Sequence, residues 1–122
     1  MGYTSFGEFV RILRIKKHEV LGDMAEKLGT SIAFLSAVEN GRKNVPTGWY
    51  ETIVSNYNLT SNDQHELKNA IEESKLQYKI VPKSAGKAQR KAAMVFSRAF
   101  DEMDEETALK VIEILNEGDH RA

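Results

Sequence analysis

Apolar positions recur at helical spacing through most of the chain. Phe6, Phe9, Val10 and Leu13 fall on one face, and Ser5-Phe6-Gly7-Glu8 has the form of a capping box, so the spacing predicts a first helix over about 5–17. Leu21, Met24, Ala25 and Leu28 share the face of a second helix, which Gly29 stops. Thr30 and Ser31 are candidate caps for a third helix, with Phe34, Leu35 and Val38 turned inward and Asn40-Gly41 at its end. Pro46 is placed to open a fourth helix, lined by Trp49, Ile53 and Tyr57. Ser61-Asn62-Asp63-Gln64 is a second capping box, opening a fifth helix over about 62–76.

Beyond residue 76 the texture changes. Gln77 to Val81 reads QYKIV, alternating and β-favouring, and Pro82 closes it, so this segment is expected to be a short strand. Ala85 to Met103 returns to helical spacing, with Ala92, Phe96, Phe100 and Met103 on one side. Asp104 can cap a last helix over 105–117, striped by Ala108, Val111, Ile112 and Leu115 and ended by Gly118. The expected fold is therefore all-α, with five helices in residues 1–76 and a short strand plus two helices in 77–122.

Length and composition narrow the class. At 122 residues the chain is one ordinary domain, or a small domain with an appendage. It has no cysteine, which removes disulfides, thiol catalysis and thiolate zinc sites. There is no run of 18 apolar residues, and the start MGYTSFGEFV lacks the layout of a signal peptide; a cytoplasmic protein is expected. The net charge of −1 argues against wholesale electrostatic binding. Its distribution says more. Residues 83–100 carry five basic and no acidic residues, whereas residues 101–122 carry two basic and eight acidic. The basic block reads first as one half of a charge-complementary helix pair, and second as a phosphate-facing surface.

No catalytic constellation is present. His65-Glu66-Leu67-Lys68-Asn69 is not a zinc-binding HExxH, because residue 69 is Asn. The acids at Asp101, Asp104, Glu105 and Glu106 lack the loop of an EF-hand and suit a helix N-terminus. We expect no enzymatic activity, no metal and no cofactor.

Residues 21–40 have the spacing of a helix-turn-helix. Ala25 is small where two helices cross, Gly29 falls in the turn four residues later, and Leu35 and Val38 are apolar where the second helix packs back. The run MAEKLGTSIAFLSAVENGRKNVP, preceded by Leu13-Arg14, resembles the lambda repressor/Cro-like (Xre) DNA-binding domain over about residues 6–60. The resemblance implies a bacterial or phage transcriptional regulator, most simply a dimeric autorepressor on a palindromic operator. It implies that the helix over 31–39 reads base edges in the major groove through Ser31, Ile32, Ala33, Ser36 and Ala37. Here the chain departs from the family, which commonly has Gln, Arg or Asn at some of these sites, and Gln where this chain has Leu21. Direct readout is then thin, with weight shifted to phosphates and DNA shape.

By the same resemblance, phosphate contacts fall to Asn40, Arg42, Lys43 and Asn44, with Lys16 and Lys17 as further candidates. Arg14 and Glu39 resemble the family's structural ion pair. Dimerisation is expected through Tyr78 and Ile80 of the strand, paired antiparallel with a second copy, and through Phe96, Phe100, Val111, Ile112 and Leu115. The expected partners are double-stranded DNA and a second copy. A compact domain of this kind followed by a short C-terminal appendage also resembles antitoxins that neutralise a cognate toxin, and the blocks FLSAVENG and YNLT with the terminal DEET helix resemble regulators cleaved by a neighbouring zinc metallopeptidase.

Overall fold

The computed structural model describes residues 2–120. It is all-helical among those residues, with α1 over Ser5–Lys17, α2 over Leu21–Leu28, α3 over Ile32–Glu39, α4 over Trp49–Tyr57, α5 over Ser61–Glu73, α6 over Lys87–Ala99, a one-turn 3₁₀ helix over Phe100–Glu102, and α7 over Glu105–His120. The chain divides into two compact units, one ending at Tyr78 and the other starting at Lys79. Among the described residues no helix is long and apolar enough to cross a membrane.

The first unit is built on one core. Phe6, Val10, Met24, Leu35, Ile53 and Leu67 are fully buried, drawing one or two side chains from each of α1 to α5. Each such side chain contributes roughly 1.5–3 kcal/mol by leaving water. Trp49 sits between Phe6 and Phe34, with ring centroids at 6.2 and 6.0 Å, the second edge-on. Ala25 is buried where α2 meets α3. The turn between these helices depends on Gly29, at φ 67° and ψ 35°, which lets Gly29 and Thr30 return their N–H groups to the carbonyls of Glu26 and Ala25. A side chain at 29 would meet open space, so the requirement there is the backbone angle rather than room between the helices.

Several local expectations are corrected. The N-cap of α1 is Thr4, not Ser5: its Oγ1 accepts the Gly7 N–H at 3.1 Å. Thr4 wins because its own N–H, at 3.0 Å, also reaches the Glu39 carbonyl at the end of α3, a tertiary contact no local motif encodes. Thr60, not Ser61, caps α5 by accepting the Asp63 N–H at 3.1 Å, and that helix ends at Glu73. Pro46 does not open α4. It is the first residue of a turn closed by the Trp49 N–H on its carbonyl, with Gly48 at φ 95° in the third position, and the helix starts at Trp49. Gly118 does not end α7; it lacks the positive φ that a terminating glycine adopts, and the helix runs on to His120.

The largest correction is the strand over 77–81, which does not form. A strand exists only through a ladder, and no second strand is present among the described residues. The segment is exposed instead, Tyr78 ties its hydroxyl to the Glu72 carbonyl, and Val81 accepts the Lys83 N–H in a tight turn at 2.8 Å. Tyr78 and Ile80 are exposed in this segment, 61% and 67%.

Candidate nucleic-acid interface

The site is assembled around α3. Ser31 caps it, its Oγ accepting the Phe34 N–H at 3.0 Å. The inward face of the helix is Leu35 and Val38, both buried. That leaves Ser31, Ile32 and Ala33 exposed at the N-terminal end, while Ser36 and Ala37 are half-buried further along. Ile32 is 54% exposed, although its Cδ1 leans toward Gly22 on α2. Leu21 is half-buried and packs against the core, so its side chain is committed to structure.

Contacts from α1 and its N-cap fix the end of α3. Arg14 and Glu39 form a two-pronged ion pair, Nη1 to Oε2 at 2.6 Å and Nη2 to Oε1 at 3.1 Å, with side chains only 8% and 2% exposed. The Met24 sulfur lies 3.3 Å from Arg14 Nη1 and closes the pocket from α2. The Glu39 carbonyl receives the Thr4 N–H and, at 3.2 Å, the Thr4 hydroxyl. Gly7 makes the approach possible, because a Cβ there would overlap the Glu39 carbonyl and stand 3.0 Å from its carbon. The backbone entry to α1 is held in turn by Ser74, whose hydroxyl accepts the Phe6 N–H at 3.0 Å and donates to the Ala70 carbonyl at 2.7 Å. α3 is therefore carried on a rigid frame with no orphaned polar group among the described buried side chains.

The loop after α3 is divided in its chemistry. Asn40 turns back, its amide donating to the Ser36 carbonyl at 2.8 Å. Asn44 accepts the Leu76 N–H at 2.9 Å, tying the loop to the end of α5. Arg42 and Lys43 are exposed. The ion pairs among the described residues join Arg14–Glu39, Lys27–Glu19, Lys75–Glu72 and Lys110–Glu106, and leave both of these cations without a partner. Lys16 and Lys17 are exposed too, but the structure does not bring them to this loop. Arg42 follows the α3 end that meets Thr4, and Lys16 lies twelve residues along α1 from there, about 18 Å at helical rise. They line instead a cleft with Phe9, Ile12, Tyr57 and Leu59, rimmed by Asp63 and Glu66.

Sequence reasoning missed a second polar cluster, at the start of α2. Glu19 receives the Tyr57 hydroxyl at 2.6 Å and the Lys27 ammonium, which also lies 4.4 Å above the Tyr57 ring. Partial burial pushes the Glu19 carboxyl upward, but the hydrogen bonds from Lys27 and Tyr57 and the charges of Lys27 and Lys17 outweigh it, and its pKa is lowered. Burial, then the bond to Glu19, raises the Tyr57 phenol well above its ordinary range. The cluster clamps the α1–α2 connection onto α4. The three residues lie 8 and 30 positions apart with no local motif, so nothing along the sequence flags them. Among the described residues no three His, Asp or Glu side chains converge as metal ligands.

Comparison of the chain with protein-family models, with curated proteins and with solved structures finds no match.

Proposed function

We propose that this protein is a sequence-specific double-stranded DNA-binding regulator, with a lambda-repressor-like first unit that lays α3 in the major groove. The observation that carries the reading is the geometry of α3: a short helix exposed at its N-terminal end, anchored by the buried Arg14–Glu39 pair, and followed directly by the exposed cations Arg42 and Lys43. A helix that reads base edges needs a fixed orientation, and a loop that touches phosphates needs uncommitted positive charge. Both requirements are supported here by separate sets of residues.

In this reading the base-facing surface is Ser31, Ile32 and Ala33, with Ser36 and Ala37 further along at the edge. Ile32 and Ala33 suit thymine methyls, and the Ser31 hydroxyl retains a proton to donate while it caps the helix. Arg42 and Lys43 take the phosphates. Asn40 and Asn44 support the loop through the bonds just described, with their remaining amide atoms as weaker contributors. Lys16 and Lys17 belong to a different surface. So small a base-reading face gives limited affinity, and two copies on half-sites about 34 Å apart, or a multiple, supply the rest. The second unit is the dimerising element.

The test is selection of a binding site from random duplexes, followed by fluorescence anisotropy on the selected site and on a scrambled one over a range of salt. Enrichment of an inverted repeat and a steep salt dependence are expected. No enrichment, together with equal affinity for both duplexes, refutes the proposal.

A further inference from the structure

Positive charge is concentrated in one stretch of this chain. Between Leu76 and Asp101 stand Lys79, Lys83, Lys87, Arg90, Lys91 and Arg98, with no acidic residue among them, in a chain whose net charge is −1. All six are exposed, and none has an ion-pair partner among the described residues. Arg90 gives only its Nε, to the Ala85 carbonyl at 3.3 Å. α6 also begins on Lys87 and has no acid in its first turn, the reverse of what the helix dipole favours. α1, α2, α4, α5 and α7 each place an acid there, whereas α3, read above as the base-reading helix, does not. An external anion relieves both the self-repulsion of the stretch and the mismatch at the start of α6.

On α6 the cations are sorted to one side. Lys87, Lys91 and Arg98 stand at i, i+4 and i+11, which fall together at helical spacing, with Arg90 at their edge; Ala88, Ala92, Val95 and Ala99 lie on the other side. Contact through the cationic side therefore leaves the apolar side untouched. The stretch also starts beside the loop that carries Arg42 and Lys43. The Leu76 N–H is held by Asn44 Oδ1 at 2.9 Å, and the Tyr78 hydroxyl by the Glu72 carbonyl, so the chain leaves the first unit next to that loop. Three residues of chain, at most about 11 Å, then separate Leu76 from Lys79.

We infer that residues 79–98 are a second phosphate-contacting element, which continues the Arg42–Lys43 contact along the backbone of the same duplex DNA. The spacing of the six cations suits a continuous polyanion. Two lie on an irregular linker and four on a helix, and a duplex offers a charge every ~1.7 Å of its axis, so each finds a phosphate without a matched register. An anionic lipid surface asks instead for large apolar side chains opposite the cations, and here that side is mostly alanine. The element supplies sequence-independent affinity to a protein whose base-reading face is small. This inference rests on the reading of the protein as a DNA-binding regulator.

Two neutralised full-length proteins test it, Lys79→Gln/Lys83→Gln in the linker and Lys87→Gln/Arg90→Gln/Lys91→Gln in α6; Gln keeps polarity and helix propensity. Fluorescence anisotropy on the selected and the scrambled duplex over a range of salt gives the readout. The slope of log affinity against log salt should fall by up to about two per protomer in the first variant and up to about three in the second. Affinity for both duplexes should fall by the same factor, because phosphate contacts carry no sequence information. Combined with Arg42→Ala/Lys43→Ala, the decreases should add. Selective wild-type binding with unchanged slopes in both variants overturns this inference and leaves the DNA-binding reading standing. A loss confined to the selected duplex also overturns it, since recognition and not the backbone is then affected. Wild-type protein that enriches no site and binds both duplexes equally overturns the reading beneath it, and this inference with it. If the α6 variant loses helix content by circular dichroism, the linker variant, which alters no helix, decides alone. Unchanged slopes on DNA together with salt-sensitive pelleting on vesicles of phosphatidylcholine and phosphatidylserine assign the cations to a lipid surface and overturn the inference.

Discussion

Removing Glu39 should damage the first unit far more than removing the whole Arg14–Glu39 pair. In the Glu39→Ala protein the Arg14 guanidinium remains in a pocket where its side chain is 8% exposed, with only the weakly accepting Met24 sulfur beside it. Two charge-assisted hydrogen bonds are lost, and water has little access to replace them. Stranding a buried charge in this way costs about 3–5 kcal/mol. Small domains are stable by roughly 5–15 kcal/mol, so the loss takes a large share of the total. In Arg14→Met/Glu39→Leu the pocket is filled by apolar side chains of similar volume, no charge is stranded, and the expected cost falls to within about 2 kcal/mol of wild type. The Thr4 bond to the Glu39 backbone carbonyl survives in both. The chain's single tryptophan makes the measurement local: Trp49 is 7% exposed, in the core with Phe6 and Phe34, so its fluorescence in a urea titration follows the first unit alone. A Glu39→Ala loss below about 1 kcal/mol, or a double variant as unstable as the two single replacements added together, refutes the reasoning.

Gly7→Ala should destabilise the same unit by several kcal/mol in that assay, because the new Cβ collides with backbone at Glu39 and α1 must shift to escape; a melt like wild type's shows that the helices move apart freely. Replacing Arg42 and Lys43 together by Ala should weaken binding to selected and scrambled duplexes alike and lower the salt slope by up to about two; an unchanged slope takes the loop off the phosphates. The Glu19–Tyr57 cluster should shape stability against pH at both ends. The Glu19 pKa is lowered from 4.5, so its contribution is present above that value and is lost as pH falls through the folded pKa. The Tyr57 pKa is raised from 10.0, so its contribution is present below that value and is lost as pH rises above it. Tyr57→Phe should flatten the alkaline decline measured by Trp49 fluorescence, and an identical decline in the variant excludes the phenol as its source.

The helices of the first unit were legible because their periodicity and their burial coincide. Phe6, Val10, Leu13, Met24, Leu35, Val38 and Ile53 are apolar in a pattern of three and four, and the structure buries all of them. The Arg14–Glu39 pair was legible only through resemblance, since two charges 25 residues apart carry no local signal. Caps were the weak point. Thr4-Ser5 and Thr60-Ser61 each offer two adjacent hydroxyls, and local chemistry barely distinguishes them. At α1 the choice is made by Glu39, and at α3 the neighbouring Thr30-Ser31 resolves to Ser31. The same long-range logic hid the tasks of Asn44 and Ser74, whose partners, Leu76 and Phe6, lie 32 and 68 residues away.

The strand that did not form exposes the limit of pattern reading in the second unit. QYKIV satisfies the alternation of a half-buried strand, but alternation describes only which side chains a sheet would accept. It does not supply the neighbour whose carbonyls and amides make the sheet. Helices differ in this respect, because each turn bonds to the previous one, so α6 and α7 satisfy their backbone groups within their own segments. Their apolar faces then persist as exposed stripes, with Val95 and Leu115 more than half accessible. The sequence carried the same information as a block of five basic residues followed by one rich in acids, and the first interpretation offered for it, a charge-complementary helix pair, leaves open whether the two helices belong to one chain or two. α6 runs directly into the one-turn helix and does not pack along α7 among the described residues, so the helix pair expected from that charge pattern is not formed within the unit.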